Sequence, residues 1–248
     1  MIGSKLGSLC FCIAAAAAMS QVFAAPLSRE EVSARVTSAA ADLSNLEAPG
    51  ADLSGLDFKG ATLHGASLKG ANLSKAQLRG CNLDVAILRN AILVQADLSG
   101  ASLFASVLAN ADLSGANLRS ARLMGNAERA NLEGADLSDV KGGSDMRNQP
   151  MGLFRLVLTH ARLKGARLER ADLSNADLSY ADLREADLSD ANLTNAKLVG
   201  AVLTGAHLDR ATLAGAEIQN ANFKGAKGLA SVRGLEKTEG RDQAVFDP

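Results

Sequence analysis

Across residues 161–225 the chain repeats one five-residue pattern thirteen times without a break. Each block opens on Ala; two residues later comes Leu in eleven blocks, Ile218 in one and Phe223 in the last. Between them sits a small or polar residue, as in Ala171-Asp172-Leu173-Ser174-Asn175. A period of five is neither the 3.6 of an amphipathic helix nor the 2.0 of a strand with one buried face. Each block is therefore read as a short extended piece followed by a turn. Four such blocks close a square coil of about twenty residues, and coils stack at the sheet spacing of about 4.8 Å. Leu then lines the axis from all four walls with Ala beside it, and the other three positions face water. Each buried Leu contributes about 1.5–3 kcal/mol. Such an axis needs no aromatic bulk, and the chain has no Trp and one Tyr.

Blocks such as Ala51-Asp52-Leu53-Ser54-Gly55 and Ala71-Asn72-Leu73-Ser74-Lys75 carry the tandem motif A(D/N)LXX. On these residues the chain resembles the pentapeptide-repeat family, over most of residues 41–228. The resemblance implies an all-β fold, a right-handed quadrilateral parallel β-helix with the central Leu and the preceding Ala inward. It implies no single function, because one fold hosts many.

In chain order, residues 1–24 have the features of a secretory signal. Lys5 supplies a positive start, Leu6 to Met19 is mostly apolar, and Val22-Phe23-Ala24 places small side chains at the −3 and −1 sites before Ala25. The apolar run is shorter than the roughly 20 residues a spanning helix needs. Cleavage between Ala24 and Ala25 would leave 248 − 24 = 224 residues, a periplasmic or secreted chain with no membrane insertion. Of the three Cys only Cys81 would remain, at an inward Ala position, so no internal disulfide could form. Residues 25–40 read as a short N-terminal capping helix. Ser28 and Glu31 form a capping-box pattern, and Val32 and Val36 follow at helical spacing. A solenoid needs such a cap over its raw end.

A first array is expected over 41–140, with Gly at many block ends where a turn asks for φ > 0. At Asn126 to Arg129 four residues stand where five are due, and residues 141–150 (KGGSDMRNQP) have no repeat character. The original frame returns by Leu158, so 141–150 is read as a loop extruded from one solenoid. A second array is expected over 151–228 and a C-terminal cap or tail over 229–248, loosely held from Lys237 onward.

Residues twenty apart should stack on one wall, which makes the outward columns legible. Arg170, Asp190 and Arg210 form an alternating ladder, with Arg167 opposite Asp187 and Arg162 opposite Asp182. Asp172, Asp177, Asp182 and Asp187 fall on four different walls and cannot converge on one ion. The three His occupy different block positions, and no nucleophile, base and orienter come within reach of one another. The glycines lack the spacing of a phosphate cradle. We therefore expect no enzyme, no cofactor and no metal.

The outward positions turn apolar in one stretch. Val85, Ile87, Ile92, Val94, Phe104 and Val107 all take places that should face solvent, spread over at least three walls, with Ile87 and Val107 in contact. Clustered exposed apolar residues mark interaction sites. The expected function is a non-catalytic, exported scaffold or protein-binding module of the cell envelope, whose partner is another protein or a second copy. The alternative is a pentapeptide-repeat protein that mimics DNA and binds a type II topoisomerase. That role calls for a strongly negative surface, whereas the formal charge is −1, and −1 − 1 = −2 without Lys5. Direct nucleic-acid binding would need a basic excess or stacking aromatics, and neither is present.

Overall fold

In the computed structural model, the residues described are 26–36, 39–143 and 155–247. The expected signal segment, and residues 144–150 of the expected loop, lie outside them. The chain winds as a right-handed quadrilateral β-helix whose four walls are ladders of parallel bridges twenty residues apart. Wall A carries Asp42, Thr62, Asn82 and Ser102; wall B carries Glu47, Ser67, Ile87 and Val107; wall C carries Asp52, Asn72, Ile92 and Asp112; wall D carries Asp57, Gln77, Asp97 and Asn117. Leu at the third position of each block and Ala at the first fill a single core that runs the length of the axis.

Hydrogen bonding explains why Asp or Asn stands at the second position. In the block 71–75, the Ala71 N–H closes a turn onto Leu68 O at 3.0 Å, Asn72 donates down to Ala51 O at 2.9 Å, Leu73 donates up to Ile92 O at 2.6 Å, and Lys75 donates up to Val94 O at 2.8 Å. The fourth N–H, that of Ser74, meets no carbonyl and is accepted by Asn72 Oδ1 at 3.1 Å. A buried or crowded N–H must find a partner, and a short side-chain acceptor two residues back supplies it. The same bond recurs from Ser54 to Asp52, Ser99 to Asp97 and Ser179 to Asp177. Asp and Asn also alternate along the walls for a reason: Asn72, Asn117, Asn131 and Asn192 each donate to the Asp one coil below, at 2.9–3.1 Å. The sequence reading took this position as merely water-facing.

The fifth residue of the block lies at positive φ whether it is Gly or not, as with Gly65 (66°) and Lys75 (58°). An i to i+3 bond with φ > 0 at the third turn residue is the type II pattern. Pro49-Gly50 at the middle of such a turn, closed by Ala51 N–H to Ala48 O at 3.3 Å, is its favoured sequence.

Both ends are covered. Helix α1 (Arg29–Arg35) is fastened by a reciprocal cap, Ser28 N–H to Glu31 Oε2 at 2.7 Å and Glu31 N–H to Ser28 Oγ at 3.3 Å. It lays Val32 and Val36 onto the core beside Leu43 and Leu46. At the other end the tail is not loose. Arg233, Glu239 and Val245 continue three walls above Thr212, Glu217 and Asn222, and Phe246 stacks on the buried Phe223 with centroids 5.0 Å apart. An aromatic pair held by the last core position ties down a segment that has no repeat.

The frame slip falls one residue earlier than the sequence suggests. Strands β1 (Ser102–Val107) and β2 (Arg122–Asn126) run straight over the corner between walls A and B, where other coils turn. Phe104 pairs with Met124, but Ser106 pairs with Gly125, so the missing residue is the one that would oppose Ala105. The short block is 121–124. Gly125 opens the next, complete block, in which Ala127 takes the buried Leu place and Asn126 Oδ1 accepts the Glu128 N–H at 2.9 Å. Beyond the loop the ladders resume, Asn126 with Val157 and Asp136 with Arg167, so one solenoid continues across it. Lys141 still belongs to the coil, bridging Arg122 and Asp172.

Candidate interaction surface

The departures from the pentapeptide between Val85 and Arg155 stack on one edge, the corner between walls A and B. Going up it, an ordinary turn at Asp84-Val85 gives way to the straight strand of Phe104 and Ala105. Next comes the shortened corner at Met124-Gly125, and then the place where the chain leaves at Gly143 and returns at Arg155. The apolar outward residues gather on and beside this edge. Val85 N–H donates to Phe104 O at 2.8 Å, and Ile87 bridges Val107 on wall B. Ile92 and Val94 lie one corner further round, on wall C and the turn after it. Val85, Ile87 and Ile92 are 47%, 42% and 43% exposed; Val94, Phe104 and Val107 are half-buried. The six thus occupy adjoining surface rather than scattered points. Two residues belong with them that the sequence reading missed. Met124 is Phe104's partner on the edge and is buried, and Val157 continues wall B across the loop. The first follows from the same twenty-residue step, whereas the second is hidden by the change of step to 31.

These residues are there at a local cost. Among the described residues, Val85 is the one β-branched side chain at positive φ (62°), a conformation in which the Cβ crowds the backbone by about 1–2 kcal/mol. Ile87, Ile92 and Val107 stand where Asp or Asn accepts the turn N–H, so those of Arg89, Val94 and Ala109 have no acceptor among the described residues. Strain and forgone hydrogen bonds concentrate at functional positions. Over the edge, the Arg122 guanidinium lies 4.2 Å from the Phe104 ring centroid, which covers one face of that ring. Lys69 and Arg89 project, exposed, from the corner between walls B and C, without an ion pair among the described residues.

Elsewhere several charged side chains pair with one another. Arg162 pairs with Glu133 at 2.7 Å, Arg167 with Asp136, and Arg170 with Asp139 through two bonds at 2.7 and 2.9 Å. Their backbones stack against Asp182 and Asp187 as expected, but these side chains reach back across the loop-bearing coil. The ladder Arg170–Asp190–Arg210 is therefore half formed: Arg210 grips Asp190 at 2.8 and 2.6 Å while Arg170 serves Asp139. Opposite charge was available on both sides, and the partner below won. The Arg170 hydrogen bonds draw the Asp139 carboxyl below its ordinary value. At Asp136 burial pushes upward, but hydrogen bonds from Ser138 and the charge of Arg167 outweigh it, and the net shift is downward.

The acidic run Asp172, Asp177, Asp182 and Asp187 lies on walls A, B, C and D in turn. Among the described residues no three His, Cys, Asp or Glu side chains are placed to hold a metal. Cys81 is fully buried, and burial pushes its thiol up to about 11, so it carries no thiolate at neutral pH. One shallow groove of about 490 Å³, lined by Asp57, Lys59, Gly60, Gln77, Arg79 and Gly80, assembles no acid–base pair with a nucleophile. Among the described residues, no helix is long and apolar enough to cross a membrane.

The architecture is that of a five-residue-repeat solenoid, and comparison with known proteins agrees. The family described as pentapeptide repeats matches in eight copies, with matched segments over 39–141 and 153–225. The chain belongs to the pentapeptide-repeat family, whose members are generally non-catalytic structural or binding proteins. It is 34% identical to HetL of Nostoc sp. Strain PCC 7120, a protein involved in heterocyst differentiation regulation; the match covers 82% of this chain and 86% of that one, with a TM-score of 0.43. Rfr23 of the cyanobacterium Cyanothece 51142 is also 34% identical, over 55% of this chain and 87% of its own, with a TM-score of 0.36. QnrB1, a plasmid-mediated fluoroquinolone resistance protein, in a trypsin-treated form, is 15% identical over 83% and 87%, with a TM-score of 0.33. No curated protein matches the chain.

Proposed function

We propose that this chain is a non-catalytic scaffold, exported to the cell envelope, that binds a protein through the apolar surface on and beside the A–B edge. The observation that carries the reading is the gathering of three exposed aliphatic side chains, Val85, Ile87 and Ile92, in the coil beneath and beside the place where the repeat is locally broken. A surface that gives up turn hydrogen bonds to expose Ile and Val gains nothing in the free protein. The export part rests on the composition of residues 1–24. DNA mimicry is the poorer fit: the net charge is near zero, and Arg side chains of the second array pair with acids of both arrays instead of leaving them as a negative face. Replacing Ile87 and Val107 by Ser tests the surface. The expected result is loss of partner capture, or of self-association, with an unchanged fold; unaltered capture and oligomeric state would remove the proposal. An intact mass lacking the first 24 residues supports export, and a mass retaining them contradicts it. Stoichiometric inhibition of gyrase supercoiling would favour the topoisomerase reading instead.

A further inference from the structure

The chemistry around the patch narrows what can sit on it. Main-chain groups of wall B are already used, Ile87 N–H by Ala66 O and Val107 N–H by Ala86 O, both at 2.9 Å or less, and Val107 O by Leu88 N–H at 2.8 Å. A partner therefore cannot add as a strand and must engage side chains. The ionisable groups that border the patch are His64, Lys69, Lys75, Asp84, Arg89, Asp112 and Arg122, with the paired Glu128 and Arg129 one coil above Val107. Asp84 Oδ1 is occupied by Ser102 Oγ and the Phe104 N–H, and Asp112 Oδ1 by Ser114 N–H and Asn131 Nδ2. The two acids are thus turned into the protein, while Lys69 and Arg89 make no ion pair among the described residues, and Arg89 stands between the Val85–Ile87 and Ile92–Val94 halves of the patch.

Resting on the protein-binding reading above, we infer that the occupant is an acidic amphipathic segment of a partner protein, its apolar side chains over Val85, Ile87 and Ile92 and its carboxylates on Lys69 and Arg89. Carboxylates fit because a guanidinium offers a planar fork of donors that a carboxylate matches in pairs. A protein segment fits better than an anionic bilayer, since lipid-binding patches gather about 4–8 cations together, whereas here Lys69 and Arg89 share the B–C corner while Lys75 and Arg122 stand on the C–D corner and wall A, on other sides of the coil. Charges at the rim set orientation and the rate of encounter, while the apolar centre supplies the area removed from water.

The test uses the full chain in the cells that make it, with the photo-crosslinker p-benzoylphenylalanine in place of Ile92, and in a second variant in place of Phe104. The adduct is expected on a protein segment in which apolar residues are flanked by Asp or Glu. Its yield should fall about tenfold, the scale on which rim charges act, in a Lys69→Glu/Arg89→Glu variant. It should be unchanged by Arg79→Glu on the corner between walls D and A. Thermal melting of each variant confirms that it folds. An adduct on lipid, on a second copy of this chain or on a segment without acids overturns the inference, as does a yield indifferent to the double charge reversal. The protein-binding reading survives the last two outcomes. Absence of any protein adduct from both positions overturns that reading as well.

Discussion

Gly165 and Gly125 sit in two regions made from the same pentapeptide, and they do different things. Gly165 ends an ordinary turn of the strict array 161–225, at φ 64° with nothing within 4 Å of where a Cβ would stand. It is there for its backbone angle, which Arg170, Asn175 and Tyr180 adopt at equivalent places without being Gly. Gly125 holds an inward position on the A–B edge, where a Cβ would come 2.4 Å from Ser106 O. It is there because the neighbouring coil has moved in. In the strict array the ladders run unbroken through turns of one geometry, and Arg162, Arg167, Arg170, Arg184 and Arg210 end in ion pairs. On the A–B edge the ladder is shortened, Val85 is strained, and apolar side chains replace turn acceptors. Regularity makes a spacer; the broken edge is where a surface unlike the rest can form.

Four sets of substitutions or conditions probe that contrast, taken from the largest effect to the smallest. The core should not distinguish the regions: Leu173→Ala and Leu103→Ala, both fully buried in the native protein, should each cost about 2–5 kcal/mol in denaturant titrations. A much cheaper loss at Leu103 would mean that the edge is loosely packed inside as well as altered outside. Gly125→Ala should cost about 1–3 kcal/mol through overpacking in addition to the strain of its φ of 156°, and Gly165→Ala about 1 kcal/mol through its backbone angle alone. Equal melting temperatures for the two variants would contradict the crowding argument. Two changes on the patch should stabilise. Ile92→Asn restores the acceptor for the Val94 N–H and should gain about 0.5–1.5 kcal/mol, and Val85→Asn puts a residue tolerant of positive φ in place of a β-branched one. Both should weaken partner capture while raising the melting temperature, the trade expected of functional positions.

The smallest effect concerns acid. Asp136 and Asp139 have carboxyls held below the ordinary value, 3.8, by their Arg partners and by Ser138. A depressed folded-state value means that the stabilisation is complete above the unfolded value and fades as pH falls through the folded one. Urea titrations at decreasing pH should therefore show a loss below about pH 4 that is smaller in the Arg167→Gln/Arg170→Gln variant. Because these pairs are largely exposed the effect is modest. A loss of equal size in the variant would show that the pairs across the loop-bearing coil do not contribute.

The walls, the inward Leu and Ala and the continuity of one solenoid were legible in the sequence because they depend only on the period. What depended on a single missing residue was less so. A deletion shows in sequence as a change of frame without saying which place is empty, and only the pairing of Ser106 with Gly125 locates it at Met124-Gly125. The second role of Asp and Asn was hidden for another reason: a water-facing residue and a turn acceptor have the same pattern. The column arithmetic found Arg162, Arg167 and Arg170 opposite acids on one side, but a long side chain chooses between two neighbours. The six apolar residues could be picked out as solvent-facing. That four of them share an edge and wall required knowing that turns and walls adjoin there.

Hydrogen–deuterium exchange on the complex recovered with its native partner tests the central claim most directly. The claim is that binding belongs to the broken edge and that the strict array is a spacer. Protection on binding should appear at residues 85–94 and 104–109, with no change across 161–225. Protection centred on 161–225, with the 85–109 region unaltered, would contradict it.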